Sequence, residues 1–215
     1  MGLVLKALAW IGIVVLAVVF VRIYVFRYYL NYNKVAFNNV SLGGAPNYWV
    51  MRGWLLLHIS SGMLALLVGP WQFWTGLRKR HTRIHRWTGR LFLTGVAIGS
   101  LCAIRLAVST TFGWAWGFGV GTLAFAWITT TSMAYYAILK RQLQVHKEWM
   151  IRAYVVTFAF VTFRLFSDFG PTSKLQPDND RFVTIIWFCW SVPLLITEVL
   201  LQLRRMRTLQ VRPAR

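Results

Sequence analysis

Hydrophobic residues fall into six long runs separated by short polar segments. The runs are 7–26, 49–74, 91–109, 114–139, 149–169 and 182–203. A helix needs about 20 apolar residues to cross the hydrocarbon core of a bilayer. Runs of this kind satisfy their backbone hydrogen bonds in lipid only as helices. The pattern therefore predicts an all-α, polytopic membrane protein with six transmembrane helices.

The polar segments that follow the second and fourth runs resemble one another. Sliding the sequence by 61 positions sets Lys79-Arg80 on Lys140-Arg141 and His85 on His146. Two matched copies indicate a duplicated two-helix hairpin. We therefore expect spans two to five to form a four-helix core bundle. The predicted domains are 1–48 (first helix and outer loop), 49–170 (duplicated-hairpin core) and 171–215 (outer loop, sixth helix and basic tail).

The chain is strongly basic, with 24 Lys and Arg against 5 Asp and Glu. Nucleic-acid binding is disfavoured because the cations sit in short segments between apolar runs, which is typical of loops that face anionic lipids. The segments 75–87, 140–148 and 204–215 hold thirteen Lys and Arg, and the opposite loops hold four. The sequence therefore predicts an inner (plasma) membrane protein with both termini and both histidine segments in the cytoplasm.

His85 and His146 occupy equivalent places in the repeat, each just before a helix enters the membrane. Two opposed histidines on facing helices are what axial ligation of a b-type haem needs. Arg86, Arg90 and Arg152 lie nearby in the sequence and would neutralise the haem propionates. The alternative is that both histidines are interfacial residues whose polar tips face lipid headgroups.

A metal ion is another candidate for the same segment. His81 precedes His85 by four residues, so both imidazoles would lie on one face of a helix. With His146 as the third ligand they would hold a zinc ion. The second copy of the repeat carries Gln142 in place of His81, which argues against this site.

A second polar set lies toward the predicted outer face. Arg105 and Arg164 follow their repeat histidines by 20 and 18 residues, and His58 in the second run approaches the same height. Asp168 is the acid four residues from Arg164 on the same helical face. Because charges inside spans are costly and mark functional sites, this layer predicts an anionic ligand. The alternative is that both arginines snorkel to the outer headgroups.

The two glutamates have local explanations. Glu148 is expected in the first turn of the fifth helix, where the helix dipole favours a carboxylate. Glu198 lies inside the sixth run shortly before Arg204-Arg205, where a salt bridge or a headgroup position accounts for it.

Three functions fit these features. The first is a redox protein with a haem between His85 and His146 that exchanges electrons with quinone. The second is a cofactor-free carrier or binding protein for an anionic lipid or small acid at His58, Arg105 and Arg164. The third is a structural accessory subunit. The sequence holds no GxSxG, Walker or HExxH motif, so a hydrolase or nucleotide enzyme is not indicated.

Several spaced motifs between residues 50 and 170 point to a known family. They are His58, Gly69-Pro70-Trp71-Gln72-Phe73, His85-Arg86-Trp87-Thr88-Gly89-Arg90-Leu91, His146-Lys147-Glu148-Trp149-Met150-Ile151-Arg152-Ala153-Tyr154 and Thr162-Phe163-Arg164. Together they resemble the bacterial membrane-protein family catalogued as domain of unknown function 2306. The resemblance implies the helical membrane fold and no settled reaction. The residues that it singles out are His58, His85, Arg90, His146, Arg152 and Arg164. A looser similarity to b561-type membrane cytochromes rests on histidines in a four-helix core.

Overall fold

The computed structural model describes residues 2–33, 47–78, 82–169 and 178–210, and every regular element in these ranges is helical. The helices are α1 Gly2–Phe20, α2 Phe26–Leu30, α3 Asn47–Val50, α4 Arg52–Arg78, α5 Thr82–Val108, α6 Trp114–Leu139, α7 Leu143–Thr157, α8 Ala159–Phe169 and α9 Asp178–Gln210. A π-helical turn, Val21–Val25, joins α1 to α2.

Five stretches of the described chain are long and apolar enough to cross a membrane. They are Leu8–Leu30, Arg52–Gly76, Arg83–Val108, Leu143–Phe169 and Asp180–Arg207. The prediction of a multi-pass helical membrane protein is therefore confirmed. Helix α6 has the predicted bounds, but it is not among the five, because the hydroxyl-bearing tract 129–132 dilutes its apolar character.

Both repeat histidines lie inside helices. Helix α5 begins at Thr82, and α7 begins at Leu143 after a tight turn in which Arg141 has a positive φ of 58°. The helices thus start nine and six residues before the apolar runs predicted at 91 and 149, because polar residues continue a helix beyond the bilayer core as readily as apolar ones. His85 and His146 are consequently held by helical backbone.

The chain divides into two compact units, Met1–Ile128 and Thr129–Arg215, with the boundary inside α6. The predicted four-helix core and the three-part domain division stay predictions.

The first unit is built on a close antiparallel pair, α4 and α5. A Cβ added to Gly95 of α5 would lie 2.9 Å from the backbone oxygen of Ser61 in α4. A Cβ on Gly99 would lie 2.9 Å from a ring carbon of Trp127 and 3.0 Å from the hydroxyl of Ser61. Small residues at these points let two membrane helices approach closely. The side chains of Ala65 and Phe92 are fully buried in this unit.

Helix α1 and its π-helical turn pack against α4. Their buried residues are Ala17, Val21 and Val25. Beyond the turn, the hydroxyl of Tyr29 lies 2.5 Å from that of Ser60 in α4. The first span is therefore joined to the hairpin by an apolar seam and one polar contact.

The second unit is organised around α9, which packs against both α7 and α8. Helices α7 and α8 meet at Phe158, whose amide donates to the carbonyl of Tyr154. The core contains Phe163 and Ile186, neither of which is exposed, and the ring of Phe163 stacks 6.1 Å from that of Phe182. This packing fixes one face of α8 against α9.

Candidate functional site

His85 is anchored to the preceding helix by its Nδ1 atom. This nitrogen lies 3.1 Å from Oγ1 of Thr75 in α4. The hydroxyl proton of Thr75 is directed to the backbone oxygen of Trp71, at 2.9 Å. The hydroxyl has a single proton, so with that proton on the Trp71 oxygen Thr75 accepts from His85, and we assign the ring proton to Nδ1. A Cβ at Gly76 would lie 3.1 Å from Cε1 of His85, so glycine leaves room for the ring.

Gln72 extends this polar interface one turn further along α4. Its side chain is buried, and its Oε1 lies 3.2 Å from the hydroxyl of Thr88 in α5. A Cβ on Gly89 would approach Nε2 of Gln72 to 2.6 Å. Sequence reasoning did not single out Thr75 or Thr88. The sequence feature that could have identified Thr75 is its helical spacing from Gln72, which places both residues on the face of α4 that meets α5.

His146 is anchored in a similar way in the second unit. Its Nδ1 lies 2.8 Å from the backbone oxygen of Ala134 in α6. A carbonyl oxygen only accepts, so Nδ1 carries the proton here as well. The two repeat histidines thus use the same ring nitrogen to reach the helix before their own. The acceptors differ, because one is a side-chain hydroxyl and the other a backbone carbonyl.

This tautomer has a chemical consequence. When a neutral imidazole donates from Nδ1, its lone pair lies on Nε2, the nitrogen that commonly binds a metal or accepts a proton. Metal-ligating histidines almost always donate their other N–H to a carbonyl, carboxylate or similar group, which fixes the ring. The anchoring of His85 and His146 therefore matches what ligation requires of each residue taken alone.

His58 shares the tautomer but lies elsewhere in the first unit. Its Nδ1 donates to the backbone oxygen of Gly99, at 2.8 Å, in the middle of α5. Next to it, Ser61 donates to the backbone oxygen of Leu57, at 2.7 Å. The structure therefore places His58 where α4 packs on the middle of α5, and its hydrogen bond joins the two helices.

An ion pair in the second unit joins α7 to α9. Nε and one terminal nitrogen of Arg152 lie 2.8 and 2.5 Å from Oε2 of Glu198. The other carboxylate oxygen accepts from Gln202, at 2.7 Å. The guanidinium of Arg152 also lies 4.7 Å from the ring centroid of Trp149. Arg152, predicted as a propionate partner, thus already has a carboxylate counter-ion, and its role toward a propionate stays a prediction.

A second ion pair runs beside the first. Arg205 of α9 donates to Oε2 of the buried Glu148, and Gln144 donates to Oε1 at 3.1 Å. The expected first-turn position of Glu148 is wrong, because α7 begins at Leu143 and has no acid in its first turn. The sequence left open a salt bridge with Arg204-Arg205 or a headgroup position for Glu198, and the structure shows that Arg205 binds the glutamate of the neighbouring helix. The chain's only two glutamates therefore both join α7 to α9.

The two arginines of the predicted outer layer belong to different units. In the first unit, Arg105 is exposed and donates to the hydroxyl of Ser109 at the end of its own helix. In the second unit, Arg164 is half-buried in α8, and Asp168 accepts from Ser167 at 2.9 Å. The pairing of Arg164 with Asp168 and a shared ligand for His58, Arg105 and Arg164 stay predictions.

The remaining predicted residues lie around the start of α5. Arg86 and Arg90 are exposed, and the guanidinium of Arg90 lies 5.0 Å from the ring centroid of Trp87. His81, the third ligand of the predicted zinc site, lies outside the described residues. Within the described ranges, no group of three His, Cys, Asp or Glu side chains is placed to hold a metal ion.

Helical spans, close glycine-mediated packing and buried ion pairs together define a multi-pass membrane protein. A family model for DUF2306, described as a predicted membrane protein, matches residues 55–201. The chain belongs to this family, as the spaced histidine and arginine motifs predicted. No curated protein and no solved structure matches the chain, and the similarity to b561-type cytochromes finds no support in these comparisons.

Proposed function

We propose that this membrane protein has a redox function and binds a b-type haem through His85 and His146. The observation that supports the proposal is that each histidine donates from Nδ1 to the helix before it. Each ring is thereby held in the tautomer whose Nε2 has a lone pair, which is the atom that axial ligation uses.

The chain's own residues would hold and orient these two ligands. Thr75 accepts from His85 and limits rotation of its ring, and the carbonyl of Ala134 does the same for His146. Gly76 leaves the space that the ring of His85 occupies. A haem bound by two imidazoles supplies reversible one-electron transfer. We propose quinone as the electron partner, since it is the small redox carrier dissolved in the same membrane.

A visible spectrum tests the proposal. The protein is purified in detergent from cells with haem supply intact, and the reduced-minus-oxidised difference is recorded with the haem-to-protein ratio. A sharp low-spin band is expected, and His85→Ala and His146→Ala should each abolish it. His58→Ala is the matched control, because His58 also donates from Nδ1 to α5 but has no place in the proposed pair. This variant is expected to keep the band.

A colourless protein under these conditions would contradict the haem proposal. The proposed function would then be the binding of an anionic lipid or small acid. That alternative predicts that Arg164→Ala abolishes ligand binding while the changes at His85 and His146 do not. If neither set of variants changes haem content or ligand binding, the structural accessory role is the remaining proposal.

We also infer that the protein crosses the bacterial inner membrane six times, with both termini in the cytoplasm. Support comes from the basic segments on one side and from α6, which has 26 residues and no charged side chain. At 1.5 Å per residue, α6 is about 39 Å long, more than the roughly 30 Å core requires. Fusions of a fluorescent reporter that folds only in the cytoplasm should glow at both termini. If α6 does not cross the membrane, the two termini lie on opposite sides, and only the cytoplasmic fusion will fluoresce.

A further inference from the structure

Three arginines form a row on α5, apart from the face that carries His85. Arg83, Arg86 and Arg90 are spaced by three and four residues, so they share one helix face. All three are exposed. At about 100° per residue, the row is turned by roughly 100–160° from His85, which faces α4. We call these three residues the arginine row.

Nothing in the described chain neutralises the arginine row. The first turn of α5 has no acid, and the ion pairs described above lie between α7 and α9. None of the three arginines has a carboxylate partner among the described residues. Arg83 also lies in the first turn of its helix, where the helix dipole disfavours cations. Local folding therefore gives no reason for three guanidinium groups at this place.

The surroundings of the arginine row match the surface of a bilayer. The row begins where the membrane-crossing stretch Arg83–Val108 begins. Trp87 is 60% exposed beside the row, and Arg90 contacts its ring. Ile84 is exposed one turn earlier. Tryptophan with exposed cations is typical of the headgroup level, where an indole packs on the glycerol region and a guanidinium meets phosphate.

We propose that Arg83, Arg86, Arg90 and Trp87 form a binding site for the headgroup of an anionic phospholipid. Guanidinium groups bind phosphate oxygens through paired hydrogen bonds, and the net negative charge of an anionic lipid, which a zwitterionic lipid lacks, complements the excess of cations. The inference does not depend on the proposed haem, since the ligand is the lipid itself and binding is read directly. It assigns to Arg86 and Arg90 a partner other than a haem propionate.

The experiment titrates the detergent-purified chain with phosphatidylglycerol or with phosphatidylcholine of the same acyl chains, and counts bound lipid by native mass spectrometry. The test variant carries Arg→Gln at all three positions of the arginine row. The matched control, R27Q/K140Q/R207Q, removes the same charge from exposed residues elsewhere. One arginine near an anionic surface corresponds to roughly five-fold in affinity, so the test variant should bind phosphatidylglycerol about 100-fold more weakly. The control should lose less than about five-fold.

Three results would overturn the proposal. Wild-type protein could bind both lipids equally, the control could lose as much affinity as the test variant, or inorganic phosphate could displace phosphatidylglycerol at similar concentrations. The last result would indicate a site for free phosphate. If the triple variant does not fold, the single Arg→Gln variants replace it, each expected to weaken binding about five-fold. Single variants without effect would also reject the site.

Discussion

The ion pair between Arg152 and Glu198 predicts which of the two residues costs the protein more stability when it is replaced. The side chain of Arg152 is 9% exposed, and two of its nitrogens reach the same carboxylate oxygen. Glu198→Gln keeps the size of the side chain but removes the counter-charge. Guanidinium groups are always charged in proteins, so this variant leaves a buried cation without its counter-charge in a medium of low dielectric constant. Removing one partner of a buried pair costs about 3–5 kcal/mol.

The reciprocal change should cost less. Arg152→Gln leaves Glu198, whose side chain is 40% exposed and which still accepts from Gln202. A carboxyl group left without its partner can also take up a proton and become neutral. We expect this variant to lose about 1 kcal/mol, the contribution of an ordinary hydrogen bond. In Glu198→Gln, Arg152 keeps its contact with Trp149, which reduces the loss of stability only slightly. We therefore expect Glu198→Gln to lose about 3 kcal/mol.

Reversible unfolding in mixed micelles measures both changes. At roughly 2–4 °C per kcal/mol for a chain of this size, Glu198→Gln should lower Tm by about 6–12 °C and Arg152→Gln by about 2–4 °C. The double variant R152M/E198M should return to within about 1–2 kcal/mol of the wild type, because no charge is left without a partner. The reasoning is refuted if Arg152→Gln is the more harmful single change, or if the double variant is as unstable as Glu198→Gln.

Three further predictions concern the packing and the turns. Gly95→Ala should destabilise the protein by about 1–3 kcal/mol, because its Cβ would lie 2.9 Å from a backbone oxygen of α4. Gly62→Ala, which meets nothing within 4 Å, should be neutral or raise Tm, since alanine favours helix; equal effects would contradict this. Tyr29→Phe removes the 2.5 Å contact with Ser60 and should cost about 1 kcal/mol in thermal unfolding. An unchanged stability would show that the contact does not stabilise the protein. Arg141→Gly, at a φ of 58°, should stabilise by about 1 kcal/mol in the same assay, and a loss would show that the side chain is needed there.

The helices could be predicted because membrane spans are long apolar runs that the sequence shows directly. The runs gave the correct order of helices and the bounds of α6. The early starts of α5 and α7 were missed because polar residues carry no hydropathy signal while remaining good helix formers. The π-helical turn Val21–Val25 was also missed, since no proline or glycine marks it.

The candidate site could be predicted only in part. Motif spacing identified His85, His146 and Arg152, but it gave no information on the partners that fix them. Those partners lie on neighbouring helices, and hydrogen bonds to a hydroxyl or a carbonyl leave no compositional trace. Glu198 illustrates the limit. An arginine seven residues on is two helical turns away, about 10 Å, so its partner had to come from another helix.

The crossed pairing of α7 and α9 also constrains how the chain is made. Helix α7 leaves the ribosome with Glu148 and Arg152 before the residues that neutralise them have been synthesised. Each charge opposes entry of a lone helix into lipid, by less than the roughly 2.5–3.5 kcal/mol of a charge at the centre of a span, because both lie near one end of the stretch Leu143–Phe169. Stable insertion of α7 should therefore wait for α9, so that the two enter as a neutral pair. A reporter that folds only in the cytoplasm, fused after residue 180, should therefore fluoresce because α7 has not crossed, and a dark fusion would show that α7 inserts without α9.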